Sequence, residues 1–462
     1  MIHPAYDIIL IGGGVAGILA GYELTTKRPD LRIALLEQGP PIRRRSCPIM
    51  DKKVERCINC SPCSIMRGFG GAGAFSDGKF NFTTRFGGWL NDYLPDSQIM
   101  DLIEYVDRIN QRFGATQEVF STFTPEADVI RRKAIGFDLH LMDARCKHLG
   151  TERNREILTA LADFLQERLE LLCDTQVTDI EPAGEEGFRL ATSRGEFACR
   201  RLVVAPGRAG AEWFSDQCRK LGLDQINNQV DIGVRVELPA IVFKEITDAV
   251  YEAKLHYRSK LYKDAVRTFC MNPYGYVVTE NTDGIITVNG HSYTDPARQS
   301  ENTNFALLVS NKFTSPFREP YQYGKRIASL SNMLGGGVLV QRFGDLVDGR
   351  RSNAHRMGQS FVQPTLEATP GDLSLVLPKR HLDNIIEMIG ALDKLSPGTA
   401  NHDTLLYGVE VKFYSSRLEL NSELETQIPG MYAIGDGAGI TRGLSQAGAS
   451  GIIAARSILR IL

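Results

Sequence analysis

The sequence lacks a strong charge of either sign, because 53 basic side chains nearly balance 55 acidic ones. This balance argues against a surface built to bind nucleic acid or an acidic membrane. Apolar runs of the roughly 18–20 residues that a membrane span requires are also missing. The N-terminus leads almost directly into an apolar segment, which leaves no room for a signal peptide. We therefore expect a cytoplasmic protein with neither nucleic-acid nor membrane partners.

Internal repeats and low-complexity tracts are missing too, which argues against solenoid and disordered classes. Hydrophobic residues make up 43% of the chain and charged residues 23%, as in an ordinary globular enzyme. A chain of 462 residues is too long for one ordinary core, so two domains are expected.

A glycine-rich turn near the N-terminus is the strongest motif. The apolar run 8–11 predicts a buried strand, and a helical pattern and a second apolar strand, Ile33–Leu36, follow the turn. Glu37 ends that second strand, where a carboxylate can accept hydrogen bonds from a ribose. The turn has the order G-x-G-x-x-G, which suits close approach to a pyrophosphate at a helix N-terminus: Gly12, Gly14 and Gly17. This pattern predicts a βαβ dinucleotide site.

The segment 68–79, GFGGAGAFSDGK, is unusually rich in small residues. Such a run is typical of backbone lying against something large. A flexible surface linker is the alternative, but Phe69 and Phe75 argue against exposure. We expect a loop pressed against the ring system of a cofactor, with contacts from Gly71, Ala72 and Ser76.

The nine cysteines are distributed unevenly, with four of them inside residues 47–63. Seven basic and two acidic side chains lie between residues 43 and 67, a field that favours thiolates. Three of the cysteines have the spacing C-x2-C-x2-C, and the group resembles iron–sulfur ligation: Cys47, Cys57, Cys60 and Cys63. Zinc, a redox-active dithiol and inert reduced cysteines are the alternatives.

The sequence pattern of residues 215–401 differs from that of the N-terminal region. It contains mixed strand patterns and no second strand–G-x-G-x-x-G–helix unit. Helices are expected near 98–113, 151–171 (with Thr151 as N-cap), 299–312 and 379–394. At the C-terminus a short strand, 431–434, leads into Gly435 and Asp436 and then into a helix from about Gly443. We predict an α/β fold: a discontinuous Rossmann-type domain of residues 1–214 and 402–462, with an inserted mixed α+β cap or substrate domain of residues 215–401.

The two ends of the chain together resemble the FAD-dependent oxidoreductases of the glutathione-reductase superfamily. The resemblance implies that the first glycine turn binds the pyrophosphate, with Glu37 at the adenosine ribose. It places Asp436 at the ribityl and phosphate groups, and the Gly443 turn with Leu444 and Ala447 beside the pyrimidine edge. Gly207 stands where the family usually has Ala-Thr-Gly, although this chain has Ala-Pro-Gly.

More closely, the chain resembles the bacterial family of uncharacterized FAD-dependent dehydrogenases (NAD(FAD)-utilising dehydrogenase-like). The similar segments extend over nearly the whole length: CINCSPCSIMRGFGGAGAFSDGK, HLGTERN, VRTFCMNP, TVNGHS, QRFGD, PGDLSLVLP and GVEVKFYSS. The resemblance implies the fold and bound FAD, and it leaves the small-molecule substrate open. NAD(P)H would bind only transiently, and an electron-carrier protein is an equal alternative as donor.

Candidate catalytic residues come from the inserted region, because in this superfamily the inserted domain covers the flavin. Arg267 can bind a carboxylate through two parallel hydrogen bonds. His291 can exchange a proton near neutral pH, and Cys270 can act as nucleophile or acid. The glycine at position 290 would allow a backbone to approach a ligand. Each has an alternative as a salt-bridge arginine, a core histidine or a buried cysteine.

The resulting prediction is an FAD-dependent oxidoreductase that moves electrons between a donor and a small organic substrate. One alternative is a flavin-binding sensor or scaffold without turnover. Another is a flavin-linked thiol–disulfide oxidoreductase, which would need a cysteine pair close to the flavin.

Overall fold

The structure is a computed structural model that describes residues 6–51, 53–54, 58, 60–226, 228–282, 284–293, 295–313, 316–317, 319–412 and 417–462. The chain forms two units. Unit 1 consists of Met1–Glu118, Lys147–Asn228 and Tyr414–Leu462, and unit 2 of Val119–Cys146 and Gln229–Phe413. The predicted boundaries, 214/215 and 401/402, therefore fall 12–14 residues before those of the structure, which also places 119–146 in unit 2.

The described residues form eleven α-helices and twenty-two β-strands. The helices are α1 (Val15–Lys27), α2 (Asp96–Arg112), α3 (Pro125–Ile135), α4 (Thr151–Gln166), α5 (Ala211–Lys220), α6 (Ala240–Val250), α7 (Pro320–Gly335), α8 (Phe343–Val347), α9 (Ala354–Gly358), α10 (Lys379–Leu395) and α11 (Leu444–Ile461). The strands are β1 (Tyr6–Ile11), β2 (Ile33–Leu36), β3 (Lys79–Phe82), β4 (Phe120–Ser121), β5 (Leu139–Leu141), β6 (Arg145–His148), β7 (Glu170–Leu172), β8 (Val177–Pro182), β9 (Phe188–Thr192), β10 (Gly195–Val204), β11 (Gln225–Ile226), β12 (Val230–Pro239), β13 (Leu255–Arg258), β14 (Ala265–Asn272), β15 (Tyr276–Thr282), β16 (Ile285–His291), β17 (Asn302–Asn311), β18 (Leu339–Arg342), β19 (Thr369–Pro370), β20 (Leu405–Lys412), β21 (Arg417–Leu418) and β22 (Met431–Ala433).

Unit 1 is built on a mostly parallel sheet with the strand order β7-β2-β1-β10-β9-β8, and β22 also pairs with β10. The pairs β1–β2, β1–β10, β2–β7 and β10–β22 are parallel. The central strands β1 and β2 are almost entirely buried, as is typical of a parallel sheet that helices cover. Helices α1 and α11 approach closely, since a Cβ on Gly451 would overlap the carbonyl oxygen of Ala16. The predicted Rossmann-type α/β fold is confirmed.

Unit 2 contains a mixed sheet with the order β19-β18-β20-β12-β17-β14-β13-β5 and a separate hairpin of β15 and β16. One face of this sheet joins α3, α6 and α10 in an apolar core that includes Val234, Phe243, Leu307 and Ile385. The β5 strand reaches this sheet through Leu141, which pairs with Leu255 on β13. This pairing explains why the early segment 119–146 belongs to unit 2.

Two predicted helices need correction. The segment near 299–312 is the strand β17, whose residues are nearly all buried between β12 and β14. A short apolar run that is buried on both faces has no period to separate strand from helix. The helix predicted over 151–171 ends at Gln166, and Gly150, not Thr151, is its N-cap. Among the described residues, every helix falls short of the length and apolar character that crossing a bilayer requires.

We expect the stability of the fold to decrease below neutral pH because of His381 on α10. The ring is 3% exposed, Asn311 Nδ2 lies 3.0 Å from Nε2, and burial lowers its pKa to about 4. The unfolded chain, with an ordinary histidine pKa, binds a proton that the folded chain excludes, so stability is full above about pH 6.5 and falls towards pH 4. This histidine alone should lower the free energy of unfolding by about 2–3 kcal/mol between these pH values.

The measurement is urea denaturation at several pH values for the wild type and for His381→Gln. The variant should show a flatter pH profile, whereas His355→Gln, at an exposed position on α9, should follow the wild type. Parallel profiles for His381→Gln and the wild type would contradict the assignment.

Candidate functional site

The candidate site lies at the carboxyl edge of the unit 1 sheet. Strand β1 pairs with β2 on one side and β10 on the other, with Ile11 next to both Leu36 and Val204. The chain leaves β1 through α1 to reach β2, while β10 lies on the opposite side, so the strand order reverses beside β1. In open α/β sheets, ligands bind at the carboxyl ends of strands at such a reversal.

In the turn after β1, two glycines pack closely against backbone atoms and one faces open space. Gly12 has a φ of +102°, and a Cβ there would overlap the carbonyl oxygen of Ala205. A Cβ on Gly17 would overlap the carbonyl oxygen of Gly12, so this glycine holds α1 against the turn. Around Gly14, the N-cap of α1, nothing lies within 4 Å of such a Cβ. Open space at a helix N-terminus fits a pyrophosphate.

Glu37 is 7% exposed, and its carboxylate binds three backbone N–H groups. Oε2 accepts from Gly13 at 2.7 Å, and Oε1 accepts from Gly39 and Gly68 at 2.8 Å each. The carboxylate therefore joins the first glycine turn to two later loops. A ribose bound at Glu37, as predicted, would contact a carboxylate that already accepts three backbone hydrogen bonds.

The glycine-rich loop lies directly against the first turn. The N–H of Gly70 donates to the carbonyl of Gly13 at 2.7 Å, and a Cβ on Gly71 would be 3.1 Å from Gly14 Cα. Gly71 and Ala72 belong to a short 3-10 helix, Gly71–Phe75, which Ser76 follows. We expected this loop at the flavin ring; the structure places Gly71 beside the turn that suits the pyrophosphate.

Arg45 holds this loop from inside. The side chain is 1% exposed, and its guanidinium donates to five backbone carbonyls, those of Ser64, Ile65, Gly68, Phe69 and Gly71. Burial lowers the pKa of Arg45 to about 10. Sequence reasoning missed this residue, although it noted the basic field around it. The only signal was an arginine-rich stretch shortly before a glycine-rich loop.

The C-terminal turn closes the edge of the sheet. Asp436 Oδ1 accepts from Thr441 Oγ1 at 2.7 Å and from the Gly443 N–H at 3.3 Å. Gly435 has a φ of +75° between β22 and this aspartate. A Cβ on Gly207 or Gly443 would meet nothing within 4 Å, as at Gly14. Open glycines therefore follow β1 and β10, and a third stands at the N-cap of α11.

Two buried polar atoms lie without a hydrogen-bond partner, within the described part of the chain, in the first turn of α11: Ser445 Oγ and Gln446 Oε1. Leu444 begins this helix and Ala447 is 5% exposed within it. Orphaned buried polar atoms are uncommon in native proteins. Beside an open glycine and free helix N–H groups, they fit a ligand with hydrogen-bonding edges. The residues at this edge therefore fit a dinucleotide such as FAD.

A buried charge cluster follows the glycine-rich loop in unit 1. Asp77 Oδ2 lies 3.1 Å from Lys79 Nζ and 3.5 Å from His148 Nε2. Burial opposes ionisation of Asp77, but Lys79 and His148 outweigh it and hold the pKa of this carboxyl well below its usual range. Sequence reasoning did not single these residues out. Asp77 and Lys79 lie about seventy residues before His148 in the sequence, so no local pattern joins the three.

The predicted catalytic residues all lie in unit 2, each with its own neighbours. Arg267 donates to Asp231 Oδ2 at 2.5 Å, and its guanidinium lies 4.9 Å from the centre of the Phe269 ring. Cys270 has a φ of +45°, and its Sγ is 4.0 Å from the Gly290 carbonyl. His291 is 8% exposed, with ring-centre distances of 6.2 Å to Tyr276 and 4.8 Å to Tyr293.

Gly290 does not leave room for a ligand, contrary to the prediction. A Cβ there would lie 2.6 Å from Asn272 Nδ2 and 2.9 Å from Arg235 Cζ, and it would overlap Asn304 Oδ1. The groups that approach this backbone are thus side chains of unit 2 itself. The glycine gives no evidence for a ligand beside His291.

The cysteine group does not form a metal centre among the residues that the structure describes. Cys47, Cys60 and Cys63 are free thiols, and no set of three or more metal-binding side chains occurs in the described ranges. Cys57, the fourth predicted ligand, lies outside the described residues.

Comparison with known proteins supports the cofactor more than the reaction. Residues 229–413 match a family model described as "FAD-dependent protein, C-terminal domain-like". These limits coincide with the longer segment of unit 2. Unit 2 is therefore similar to the C-terminal domain of FAD-dependent proteins. A protein of Clostridium beijerinckii, named only "Uncharacterized protein", is 28% identical over 471 residues, which cover 98% of this chain and 80% of that protein.

Solved structures align with nearly the whole chain, but at low sequence identity and with low TM-scores. Glycine oxidase from Geobacillus kaustophilus is 14% identical with a TM-score of 0.41, covering 99% of this chain and 95% of its own. L-Proline dehydrogenase from P. horikoshii is 12% identical with a TM-score of 0.40, covering 99% and 94%. Similarity at this level does not identify a substrate.

Proposed function

We propose that the chain is an FAD-dependent oxidoreductase that moves electrons between a donor and a small organic substrate. The observation that carries this proposal is that Gly14 and Gly207, which follow the parallel strands β1 and β10, and Gly443, the N-cap of α11, all face open space. The family match over residues 229–413 supports the same cofactor. When bound, FAD supplies the hydride or electron chemistry, and the protein supplies binding and electrostatics.

The residues of unit 1 have separate tasks in this proposal. The Gly12–Gly17 turn and the N-terminus of α1 bind the pyrophosphate, with Glu37 at the adenosine ribose. Asp436 accepts a hydrogen bond from the ribityl chain, and the first turn of α11 donates backbone N–H groups to the pyrimidine edge. Gly71, Ala72 and Ser76 cover the pyrophosphate side.

The Asp77–Lys79–His148 cluster is the proposed proton reservoir. Lys79 and His148 lie buried beside the Asp77 carboxylate. Oxidation of an organic substrate moves protons as well as electrons, and a positioned histidine is the side chain that most often exchanges a proton in such reactions.

The electron donor is proposed to be NAD(P)H in a transient complex, or an electron-carrier protein. The proposal assigns no role to Cys47, Cys60 and Cys63, because no set of three or more metal-binding side chains occurs among the described residues and Cys57 lies outside them. Iron, sulfide and zinc analysis of protein purified without oxygen checks this omission. Stoichiometric iron and sulfide would restore the cluster to the mechanism.

We expect the purified protein to contain FAD that acid or heat releases intact. The contacts proposed above are all non-covalent, and no histidine or cysteine stands in a recognisable flavin-attachment motif. The released flavin is identified by chromatography and mass spectrometry. Recovery of FMN, or of no flavin from folded protein, would overturn the proposed function.

Turnover separates the enzyme from a flavin-binding sensor or scaffold. In anaerobic titration, the flavin absorbance should bleach with NADPH, NADH or a reduced carrier protein and should recover when an oxidant is added. Bound FAD that no donor of these classes reduces would favour the sensor.

A further inference from the structure

The thiols of unit 1 differ in their reactivity. Burial raises the pKa of Cys173, Cys199 and Cys218 to about 12. Because a thiol reacts as its thiolate, these three cysteines are poor nucleophiles. Cys60, in contrast, is the exposed cysteine among those that the structure describes, and Cys63, three residues later, is half-buried.

Cys60 and Cys63 have the arrangement of a thiol pair that a peroxide oxidises. In such pairs a solvent-accessible cysteine is attacked first, and a second cysteine close by completes the disulfide. The spacing C-x2-C places both thiols in one short loop, so the pair closes without a distant segment. The whole segment 60–71 lies within the described part of the chain.

Arg45 holds the turn that begins at Cys63. The Cys63 carbonyl accepts two backbone N–H groups, at 3.1 and 2.9 Å, which closes a turn over residues 63–67, here called the cysteine turn. Within it, the Ser64 carbonyl accepts from Arg45 Nε at 2.9 Å and from Nη2 at 2.7 Å. The Ile65 carbonyl accepts from Nη2 at 3.0 Å. Two nitrogens of one buried guanidinium therefore hold the cysteine turn.

The third nitrogen of the same guanidinium holds the glycine-rich loop. Arg45 Nη1 donates to three carbonyls between Gly68 and Gly71, at 2.7–3.3 Å. Inside this loop, the N–H of Gly70 donates to the carbonyl of Gly13 at 2.7 Å. An unbroken series of hydrogen bonds thus joins the cysteine turn to the turn that is proposed to bind the pyrophosphate of FAD.

This connection transmits small movements. An N–H···O hydrogen bond weakens when its length exceeds about 3.2 Å. The guanidinium is a planar fork, so its three nitrogens cannot turn separately. A shift of the Ser64 and Ile65 carbonyls therefore leaves buried donors of Arg45 without acceptors, or it moves the whole group and the glycine-rich loop with it.

We propose that a peroxide oxidises Cys60 and Cys63 to a disulfide, and that this disulfide weakens FAD binding through Arg45. The inference rests on the proposed function, because FAD is the ligand whose binding changes. Disulfide geometry draws the Cys63 backbone towards Cys60, and the two carbonyls that follow Cys63 move with it. Release of FAD then stops turnover while peroxide is present, so the pair is a regulatory site.

The oxidation balances with one molecule of hydrogen peroxide. The Cys60 sulfur attacks a peroxide oxygen, so an S–O bond forms, the O–O bond breaks and one water leaves. The Cys63 sulfur then attacks the Cys60 sulfur, so the S–S bond forms, the S–O bond breaks and a second water leaves. The two thiols lose two electrons and two protons, and the peroxide becomes two waters. Dithiothreitol returns the electrons and protons and restores both thiols.

The test treats the FAD-loaded protein with hydrogen peroxide. Peptide mass spectrometry should find a disulfide between Cys60 and Cys63. Equilibrium dialysis should give an FAD dissociation constant at least fivefold higher than that of the reduced protein, and dithiothreitol should reverse both changes. A disulfide that joins other cysteines, no disulfide, or an FAD affinity that is unchanged or higher after oxidation contradicts the proposal.

Cys60→Ser removes the exposed thiol and leaves the cysteine turn and Arg45 in place. Its reduced form should bind FAD as the wild type does, and peroxide should change its FAD dissociation constant less than twofold. Cys47→Ser is the matched control, because Cys47 is a half-buried free thiol that precedes the pair, and this variant should respond to peroxide as the wild type does. A full peroxide response in Cys60→Ser, or its loss in Cys47→Ser, overturns the pairing.

Hydrogen exchange separates this inference from the proposed function. The amides of residues 64–71 should exchange faster after oxidation of the wild type, with or without FAD, and should not respond in Cys60→Ser. A protein whose FAD affinity ignores the disulfide removes only the regulatory site. A protein that contains no FAD, but still forms the disulfide and loosens residues 64–71, removes the oxidoreductase and leaves the thiol pair that controls the loop.

Discussion

Replacing Gly14 by valine is expected to remove FAD from a protein that still folds. Nothing in the structure lies within 4 Å of a Cβ at this position, and its φ of −77° is accessible to any residue. The added side chain therefore costs the apoprotein little, on the order of 1 kcal/mol for a poorer N-cap. It occupies the space in front of α1 where the pyrophosphate must approach the backbone.

We expect FAD affinity to fall at least tenfold, measured by fluorescence titration of the apoprotein, while circular dichroism and the denaturation midpoint stay close to those of the wild type. Gly390→Val is the control, because Gly390 on α10 also has nothing within 4 Å of a Cβ. It should keep full FAD. A Gly14→Val protein that retains full FAD would show that the open space does not hold the cofactor.

The contrast with Gly12 explains why the motif could be read from the sequence. The glycines of this motif have two structural causes, the close contact of turn, helix and sheet and the need for open space in front of the helix. The structure shows that contact at Gly12 and Gly17, and it leaves Gly14 open. Local patterns of this kind predicted β1, α1, β2, β22 and the start of α11.

Local patterns could not predict which strands pair when those strands are far apart in the sequence. The segment 119–146 belongs to unit 2 because Leu141 pairs with Leu255, more than one hundred residues later. The strand β17 was mistaken for a helix because burial on both faces removed the alternation that identifies a strand. The predicted domain boundaries, 214/215 and 401/402, consequently differ from the limits of the two units, 228/229 and 413/414.

The candidate site shows a similar division. Glu37 and Asp436 were predicted as site residues because each follows a strand beside a glycine turn, and the family resemblance suggested their roles. The hydrogen bonds that occupy Glu37 join residues far apart in sequence and could not be predicted. Arg267 was selected for its chemistry, yet its partner Asp231 and its place beside Phe269 could come only from the sheet.

Replacing Arg45 by methionine is expected to cause the largest loss of stability among these variants. The guanidinium is 1% exposed and supplies hydrogen bonds to five carbonyls between Ser64 and Gly71. Methionine fills a similar volume but donates none of them, so buried acceptors lose their partners. We expect the free energy of unfolding to fall by roughly 3–5 kcal/mol.

The same change should weaken FAD binding, because this loop donates the Gly70 N–H to Gly13 and packs Gly71 against Gly14. Arg45→Lys should restore little, since one ammonium group has three donors at a single point whereas the carbonyls are spread around a planar fork. The matched control is Arg44→Met, whose exposed side chain pairs with Asp174 and should contribute less than about 1 kcal/mol. Urea denaturation of the apoproteins and FAD titration measure both effects. If Arg45→Lys equals the wild type in stability and FAD affinity, a single positive charge is sufficient, and the five-carbonyl geometry does not position the loop.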